Sequence, residues 1–178
     1  FHSQGNISEA EKYYQYFINQ GFKDHRVFSN YGGILKGLGK LQDAEISLRT
    51  AIEIKPDFAE AHFNLGTILK DLGNLQEAEL STRKAIEIKP DFAEEHSNLG
   101  NILKDLGNLQ EAELSTRKAI KINHNYADAH SNLGIILKDL GNLQEAELSY
   151  RKAIEIKPDF ADAYSNLGNV LGNLGKSK

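Results

Sequence analysis

The ten-residue stretch LGNLQEAELS at Leu72–Ser81 decides the fold of this chain because it is not unique. The same ten residues return at Leu106–Ser115 and Leu140–Ser149, 34 residues further along each time. A second string, Lys-Pro-Asp-Phe, recurs in the same period at 55–58, 89–92 and 157–160, with a degenerate copy, His-Asn-Tyr, at 124–126. A fixed period of this length is the sequence signature of a repeat protein, in which each unit packs mainly on its neighbours.

Each repeat contains two amphipathic helices. The first carries apolar residues at helical spacing, at Ala61, Leu65, Ile68, Leu69 and Leu72. The second carries a similar stripe, at Leu75, Ala78, Ala85, Ile86 and Ile88. The chain is therefore predicted to be all-α and built of antiparallel helix pairs.

Turn and cap residues divide the two stripes. We expect Asp57 with Glu60, and Asn74 with Glu77, to cap the N-termini of the two helices. We expect Gly73 to end the first helix in the left-handed conformation. The prolines of the Lys-Pro-Asp-Phe string prevent the preceding helix from continuing, at Pro56, Pro90 and Pro158.

Cut in phase, the chain contains four full repeats, at 25–58, 59–92, 93–126 and 127–160. Residues 1–24 and 161–178 are a partial repeat at either end of a single array over 1–178. Hairpins stacked with a small constant rotation form a right-handed superhelical solenoid whose inner groove is lined by the first helices. The broken phase and the absence of Met lead us to expect a piece of a longer array.

A glycine recurs inside the first helix, at Gly32, Gly66, Gly100, Gly134 and Gly168. Glycine in a helix interior costs about 1 kcal/mol relative to alanine. We expect close backbone approach to compensate, with each glycine facing an alanine of the second helix, at Ala44, Ala78, Ala112 or Ala146. On this interpretation Gly66→Leu unfolds its hairpin.

Composition excludes several functional classes. The net charge of −4 argues against a broad nucleic-acid surface, and no apolar run is long enough to span a bilayer. We expect a cytoplasmic protein. No nucleophile–base pair, phosphate loop or carboxylate pair stands out, so we expect no enzyme activity and no cofactor. His62, His96 and His130 repeat at a spacing of about 10 Å, too far apart to share a metal ion.

The motif Asn-Leu-Gly at Asn64–Gly66, followed by Ala78, Ala85 and Pro90, resembles the signature of the tetratricopeptide repeat family. The repeats are most similar to bacterial arrays, especially cyanobacterial ones, and to the repeat region of O-linked N-acetylglucosamine transferase. Two aromatic positions depart from the family pattern. The one in the first helix holds His62, His96 and His130, and the one in the second helix holds Leu48, Thr82 and Thr116, with Tyr at 14 and 150. We expect these changes to loosen packing without changing the fold.

One asparagine per repeat is predicted to line the groove, at Asn30, Asn64, Asn98, Asn132 and Asn166. An amide side chain can pair with both the N–H and the C=O of a peptide. The similar transferase arrays use an asparagine ladder in this way, so the resemblance implies binding of extended protein or peptide segments. The same asparagines could instead tie one hairpin to the next.

Further groove candidates lie one turn along the first helices, at Thr67, Asn101, Ile135 and Asn169. A basic row follows, at Lys36, Lys70, Lys104 and Lys138, with an aspartate after each of the last three. Each aspartate could neutralise its neighbouring lysine, leaving a solvated edge. Alternatively the row forms a charged rim that steers a ligand.

Two other functions stay open beside the peptide-binding scaffold. The array could be the substrate-selecting arm of a larger glycosyl- or sulfotransferase, or a purely structural spacer or assembly module. Apolar and aromatic residues at the two ends, such as Tyr13, Tyr16, Leu171 and Leu174, predict homo-association through uncapped ends.

Overall fold

The computed structural model describes residues 7–175, and these residues form ten α-helices joined by short turns. The chain divides into two compact units, unit 1 (residues 1–90) and unit 2 (residues 91–178). Within its described residues, unit 1 contains α1 (Ile7–Asn19), α2 (His25–Gly37), α3 (Leu41–Ile54), α4 (Ala59–Asp71) and α5 (Leu75–Ile88). Unit 2 contains α6 (Ala93–Asp105), α7 (Leu109–Ile122), α8 (Ala127–Asp139), α9 (Leu143–Ile156) and α10 (Ala161–Asn173).

The predicted helix pairs are confirmed, and the prediction of an all-α fold is correct. In each complete repeat the first helix packs on the second helix that follows it, as α4 packs on α5 and α8 packs on α9. The helix α1 takes the place of a second helix before α2, and α10 is a first helix that packs on α9. The core of unit 2 comes from the predicted apolar stripes, with Leu137, Tyr150 and Val170 almost fully buried.

The first helix of each repeat ends as the sequence predicts. Gly73 has a φ of 82°, in the left-handed region. Its N–H donates to the carbonyl of Lys70 (2.9 Å), and the N–H of Asn74 donates to the carbonyl of Leu69 (2.8 Å). These two bonds are a Schellman motif, which satisfies carbonyls that the helix end would leave unpaired.

The predicted N-terminal caps are wrong. The residue that caps α4 is Phe58, not Asp57, and it makes no side-chain cap bond. Asn74 does hold the cap position of α5, but its side chain makes no cap bond either. Its backbone, at φ −83° and ψ 62°, lies outside the extended region in which a side-chain oxygen reaches back to the helix. The N–H of Leu75 instead donates to the carbonyl of Gly73 (3.0 Å).

The third repeat shows that proline is not needed to stop the second helix. The helix α7 ends at Ile122, the position equivalent to Ile88 and Ile156, although His124 replaces proline there. The Asn123 side-chain oxygen accepts a hydrogen bond from the N–H of Asn125 (3.1 Å). This side-chain turn redirects the backbone where the other repeats use proline.

The glycines of the first helices do mark close approach, but the alanine is not the nearest contact. A Cβ built on Gly134 would lie 2.7 Å from ring atoms of Tyr150, and one built on Gly32 would lie 2.7 Å from Leu48 Cγ. At Gly66 the nearest atom is the hydroxyl of Thr82, followed by the carbonyl oxygen of Ala78 at 3.2 Å. The contacting residue therefore sits one turn beyond the alanine, at the position where the family usually has an aromatic residue.

Candidate functional site

The first helices of each unit lie side by side and form a continuous surface, called here the first-helix face. In unit 1 it is made by α2 and α4, and in unit 2 by α6, α8 and α10, each of which contacts the next. The second helices are bridged by long side chains instead. Arg49 on α3 reaches Glu77 on α5 (2.6 Å), and Arg117 on α7 reaches Glu145 on α9 (2.7 Å).

The predicted asparagines lie at the margin of the buried stripe of the first helices. Asn30 is exposed, and the other four are half-buried, at Asn64, Asn98, Asn132 and Asn166. Asn30 directly precedes the buried Tyr31, and each of the other four directly precedes a buried leucine, so each asparagine side chain emerges about 100° around the helix from a core residue. Asn64, Asn98, Asn132 and Asn166 are thus each partly exposed as residues, although the Nδ2 atom of Asn98 is buried.

Hydrogen bonds differ from one asparagine to another. Asn132 donates from Nδ2 to the hydroxyl of Ser97 on the neighbouring first helix (3.2 Å). This bond is the hairpin-to-hairpin contact that the sequence left open as an alternative to peptide binding. By contrast, Nδ2 of Asn98 is buried and has no hydrogen-bond partner within the described part of the chain. An Asn side chain offers two N–H donors and one carbonyl acceptor, so the bond to Ser97 uses only one of the groups of Asn132.

The candidates one turn further along the first helices differ in burial and in hydrogen bonding. The Thr67 hydroxyl donates to the carbonyl of Phe63 in its own helix (3.1 Å), so its proton is already used. Asn101 and Ile135 are half-buried, and Asn169 is exposed. Of this row, Asn101 is the half-buried amide, and it lies on the same helix as Asn98.

Several lysines of the basic row (Lys36, Lys70, Lys104 and Lys138) form ion pairs with aspartates. Lys104 lies 3.0 Å from the carboxylate of Asp105, and Lys138 lies 3.9 Å from that of Asp139. In unit 1, Lys36 approaches Asp71 of the neighbouring first helix (3.4 Å), and Lys70 is half-buried. These pairs are solvent-exposed and worth under about 1 kcal/mol each. Much of the charge of the row is thus offset locally.

Two of the three repeated histidines are half-buried and have a ring nitrogen within hydrogen-bond distance of a backbone carbonyl. Nε2 of His62 lies 2.8 Å from the carbonyl oxygen of Pro56, and Nε2 of His130 lies 3.1 Å from that of His124. Burial lowers the pKa of His130, so its ring is uncharged at neutral pH. Over residues 7–175, no three His, Asp or Glu side chains come together as a metal site would require.

A surface that the sequence interpretation missed lies on the other side of the hairpins. One large apolar side chain per second helix is about two-thirds exposed, at Ile46, Leu80, Leu114 and Leu148. In unit 2, Leu148 borders a cavity of about 430 Å³ between α7 and α9, with α8 as its floor. We call this cavity the second-helix groove. The signal was present in the sequence, since these residues recur every 34 positions outside the buried stripe.

Family models match most of the chain. A model described as TPR repeat matches residues 32–73, 100–141 and 134–175, and one described as Tetratricopeptide repeat matches residues 59–92. This chain belongs to the tetratricopeptide repeat family. The family assignment from the Asn-Leu-Gly motif is thereby confirmed.

Solved structures with the same architecture include other tetratricopeptide proteins. The crystal structure of MamA superposes with a TM-score of 0.75 at 28% identity, covering 82% of this chain and 85% of that one. A MamA fragment from Desulfovibrio magneticus RS-1 gives 0.80 at 18% identity, with 89% of each chain covered. YrrB, described as a TPR protein with an unusual peptide-binding site, gives 0.74 at 22% identity and covers 93% of this chain and 85% of that one.

A search of curated proteins gave no match to this sequence. Among the described helices of this tetratricopeptide array, none has the length and apolar character required to cross a membrane.

Proposed function

We propose that this tetratricopeptide array is a protein-interaction scaffold that binds extended peptide segments on its first-helix face. The amides of Asn98, Asn132 and Asn166 would pair with the peptide backbone in unit 2, and those of Asn30 and Asn64 in unit 1. The proposed scaffold has no catalytic group or cofactor of its own. The observation that carries the proposal is the row of half-buried amides, one on each of four first helices, at Asn64, Asn98, Asn132 and Asn166.

The Lys side chains at the edge of the same face, at 70, 104 and 138, together with Thr67 and Asn101, complete the proposed site. Each net hydrogen bond contributes about 0.5–1.5 kcal/mol, so a few amide rungs give only weak binding. Amides that pair with the backbone do not read side chains. Affinity is therefore expected to grow with peptide length and to depend little on peptide sequence. The similar fold of YrrB, whose description names a peptide-binding site, is compatible with this function.

The test removes the amides and measures binding directly. Asn64, Asn98 and Asn132 are changed together to Ala, and binding of peptides selected from a peptide array is measured by fluorescence anisotropy. Binding is expected to fall by at least about fivefold for two lost rungs. The matched control changes Asn74, Asn108 and Asn142 to Ala, because these exposed amides also occur once per repeat and make no cap bond. Unchanged binding in the first variant would refute the asparagine ladder.

A second arm of this test changes the ligand. Peptides with N-methylated backbone amides cannot donate to the side-chain oxygens, so they are expected to bind more weakly than the unmodified peptides. If methylation has no effect while side-chain changes abolish binding, the groove reads side chains and the ladder hypothesis is wrong.

Homo-association is proposed as a second property, on a separate observation. At Gly168 of α10 a Cβ would meet no atom within 4 Å, whereas the equivalent glycines of the other repeats are covered by a second helix. On α1, Tyr13 and Tyr16 are about two-thirds exposed. We expect these surfaces to associate at high protein concentration. A monomeric mass by light scattering at all concentrations would contradict this.

The transferase-arm and spacer hypotheses predict different results. A spacer binds no peptide in the array screen, whereas a substrate-selecting arm binds peptides that a transferase joined to it modifies. The transferase-arm hypothesis also predicts that removing the array abolishes selection among protein substrates.

A further inference from the structure

We propose that the second-helix groove of unit 2 binds a second ligand, an acidic peptide segment that inserts an apolar side chain. This site is separate from the first-helix face and uses none of its asparagines. The floor and wall of the groove offer apolar contact through Ile120, Leu133 and the exposed Leu148. The rim carries Arg117, Lys121 and Lys152. Arg117 pairs with Glu145 (2.7 Å) and Lys152 pairs with Glu155 (2.6 Å), so Lys121 supplies the excess positive charge of the rim.

The repeat that builds this groove departs from its siblings at the groove itself. Residues 121–126 read Lys-Ile-Asn-His-Asn-Tyr, whereas 53–58, 87–92 and 155–160 all read Glu-Ile-Lys-Pro-Asp-Phe. Lys121 and His124 line the second-helix groove. Asn123 and Tyr126 line a separate cavity of about 230 Å³. Of the five residues that differ from the sibling segments, Lys121 and His124 are therefore the two that a ligand in this groove would touch.

The same substitutions make the groove more positive. In the second and fourth repeats the last turn holds an ion pair, Lys84 with Glu87 (2.8 Å) and Lys152 with Glu155 (2.6 Å). In the third repeat Lys118 has Lys121 at the equivalent position, so this ion pair is replaced by two like charges. With His neutral, the segment 121–126 carries a formal charge of +1, and each sibling segment carries −1. A peptide carboxylate in the groove would supply a partner of opposite charge for Lys121.

Unit 1 contains an equivalent groove with the opposite charge. It has a volume of about 400 Å³, and its lining residues Ile46, Ser47 and Thr50 lie 102 positions before Leu148, Ser149 and Lys152. Its charged lining residues are acidic, Glu11 and Asp43. The two grooves thus share an apolar anchor but differ in sign, so an acidic ligand is expected to prefer unit 2.

The experiment titrates the isotopically labelled protein with short peptides and follows amide chemical shifts. The probes are Glu-Glu-Leu-Glu-Glu, the basic counterpart Lys-Lys-Leu-Lys-Lys, and Glu-Glu-Ser-Glu-Glu, which lacks the apolar anchor. The acidic leucine peptide is expected to shift amides around residues 117–124 and 148–152, and to lose affinity as salt is raised. The other two peptides are expected to bind at least about tenfold more weakly.

The decisive variant replaces residues 121–126 by Glu-Ile-Lys-Pro-Asp-Phe. This sequence occurs at the same place in three other repeats of the chain, so the fold is expected to tolerate it. Affinity for Glu-Glu-Leu-Glu-Glu is expected to fall about tenfold, because the positive rim charge of Lys121 is replaced by a negative one. Changing Leu148 to Ser is expected to weaken binding as well, because it removes the apolar contact with the ligand. Since Leu148 is exposed, the change is expected to have little effect on the stability of the fold.

Several outcomes would overturn the proposal. The acidic and basic peptides could bind equally well, or no probe could bind at millimolar concentration. The amide chemical-shift changes could be confined to the first-helix face. The variant with residues 121–126 replaced could also keep its affinity for Glu-Glu-Leu-Glu-Glu. The variant with Asn64, Asn98 and Asn132 changed to Ala separates the two sites. This variant should still bind Glu-Glu-Leu-Glu-Glu in the second-helix groove, whether the asparagine ladder hypothesis is right or wrong.

Discussion

The close approach at the repeat glycines predicts that substitution by Ala affects the free energy of unfolding differently at two equivalent positions. Gly134 and Gly168 occupy the same place in the Asn-Leu-Gly motif, 34 residues apart, both inside first helices of unit 2. Changing either to Ala gains about 1 kcal/mol of helix propensity. At Gly168 the new Cβ meets nothing within 4 Å, so the full gain is expected. At Gly134 it lies 2.7 Å from two ring atoms of Tyr150, which is fully buried and cannot move aside without disturbing the core.

The propensity gain is the same in both variants, so the difference between them isolates the steric term. Overpacking of a well-filled core costs about 1–3 kcal/mol. Gly134→Ala is thus expected to be neutral or destabilising by up to about 2 kcal/mol, and Gly168→Ala stabilising by about 1 kcal/mol. With a urea m-value of about 2 kcal/mol/M, the midpoints of the two variants should differ by about 0.5–1.5 M.

The assay is urea unfolding followed by circular dichroism, with amide hydrogen exchange to locate the change. Exchange is needed because repeat arrays can unfold in segments, and a single unfolding free energy then has no clear meaning. Faster exchange in α8 and α9 is expected for Gly134→Ala. If Gly134→Ala stabilises the protein as much as Gly168→Ala does, the close-approach argument is wrong.

Three other changes follow from the same packing. Gly66→Leu should unfold its hairpin, seen as loss of exchange protection in α4 and α5, because a side chain there meets Thr82 and the carbonyl of Ala78; retained protection would contradict this. Asn132→Ala should cost about 0.5–1.5 kcal/mol in urea unfolding through the lost bond to Ser97, and Ser97→Ala should cost a similar amount, whereas an effect in only one of them would argue against the bond. Tyr150→Phe removes a buried hydroxyl with no partner among the described residues and should not destabilise the fold. Burial raises the pKa of Tyr150 to about 12, so this residue's contribution to stability is complete below about pH 10 and lost as the pH rises toward 12. Alkaline unfolding of Tyr150→Phe should therefore occur at higher pH than in the unchanged protein, and identical midpoints would contradict it.

Helix existence and helix ends were predictable because they depend on short-range patterns. The apolar period, the left-handed glycine at Gly73 and the repeated turn strings each act within a few residues. The prediction of side-chain N-caps was wrong for a similarly local reason, because the backbone angles at Asn74 differ from those that let a side chain cap a helix. Composition and propensity do not encode such angles.

The candidate site was predictable only as a line of positions. The 34-residue period predicts one groove-lining asparagine per first helix. In the structure four of the five are half-buried, and their role in binding stays a prediction. The amino-acid sequence could not reveal that Asn132 donates to Ser97, because that hydrogen bond joins two helices and depends on side-chain conformation.

The sequence by itself determined the family, the helix pairs and the place of each glycine, because repetition turns local signals into a global pattern. Only the tertiary structure decided what lies against those glycines. Tyr150 covers Gly134 from sixteen residues further along the chain, one turn beyond the alanine that propensity and size suggested. It also decided that Leu148 faces solvent beside a groove while Leu137 enters the core. Burial depends on how helices pack and not on the apolar character of a single residue.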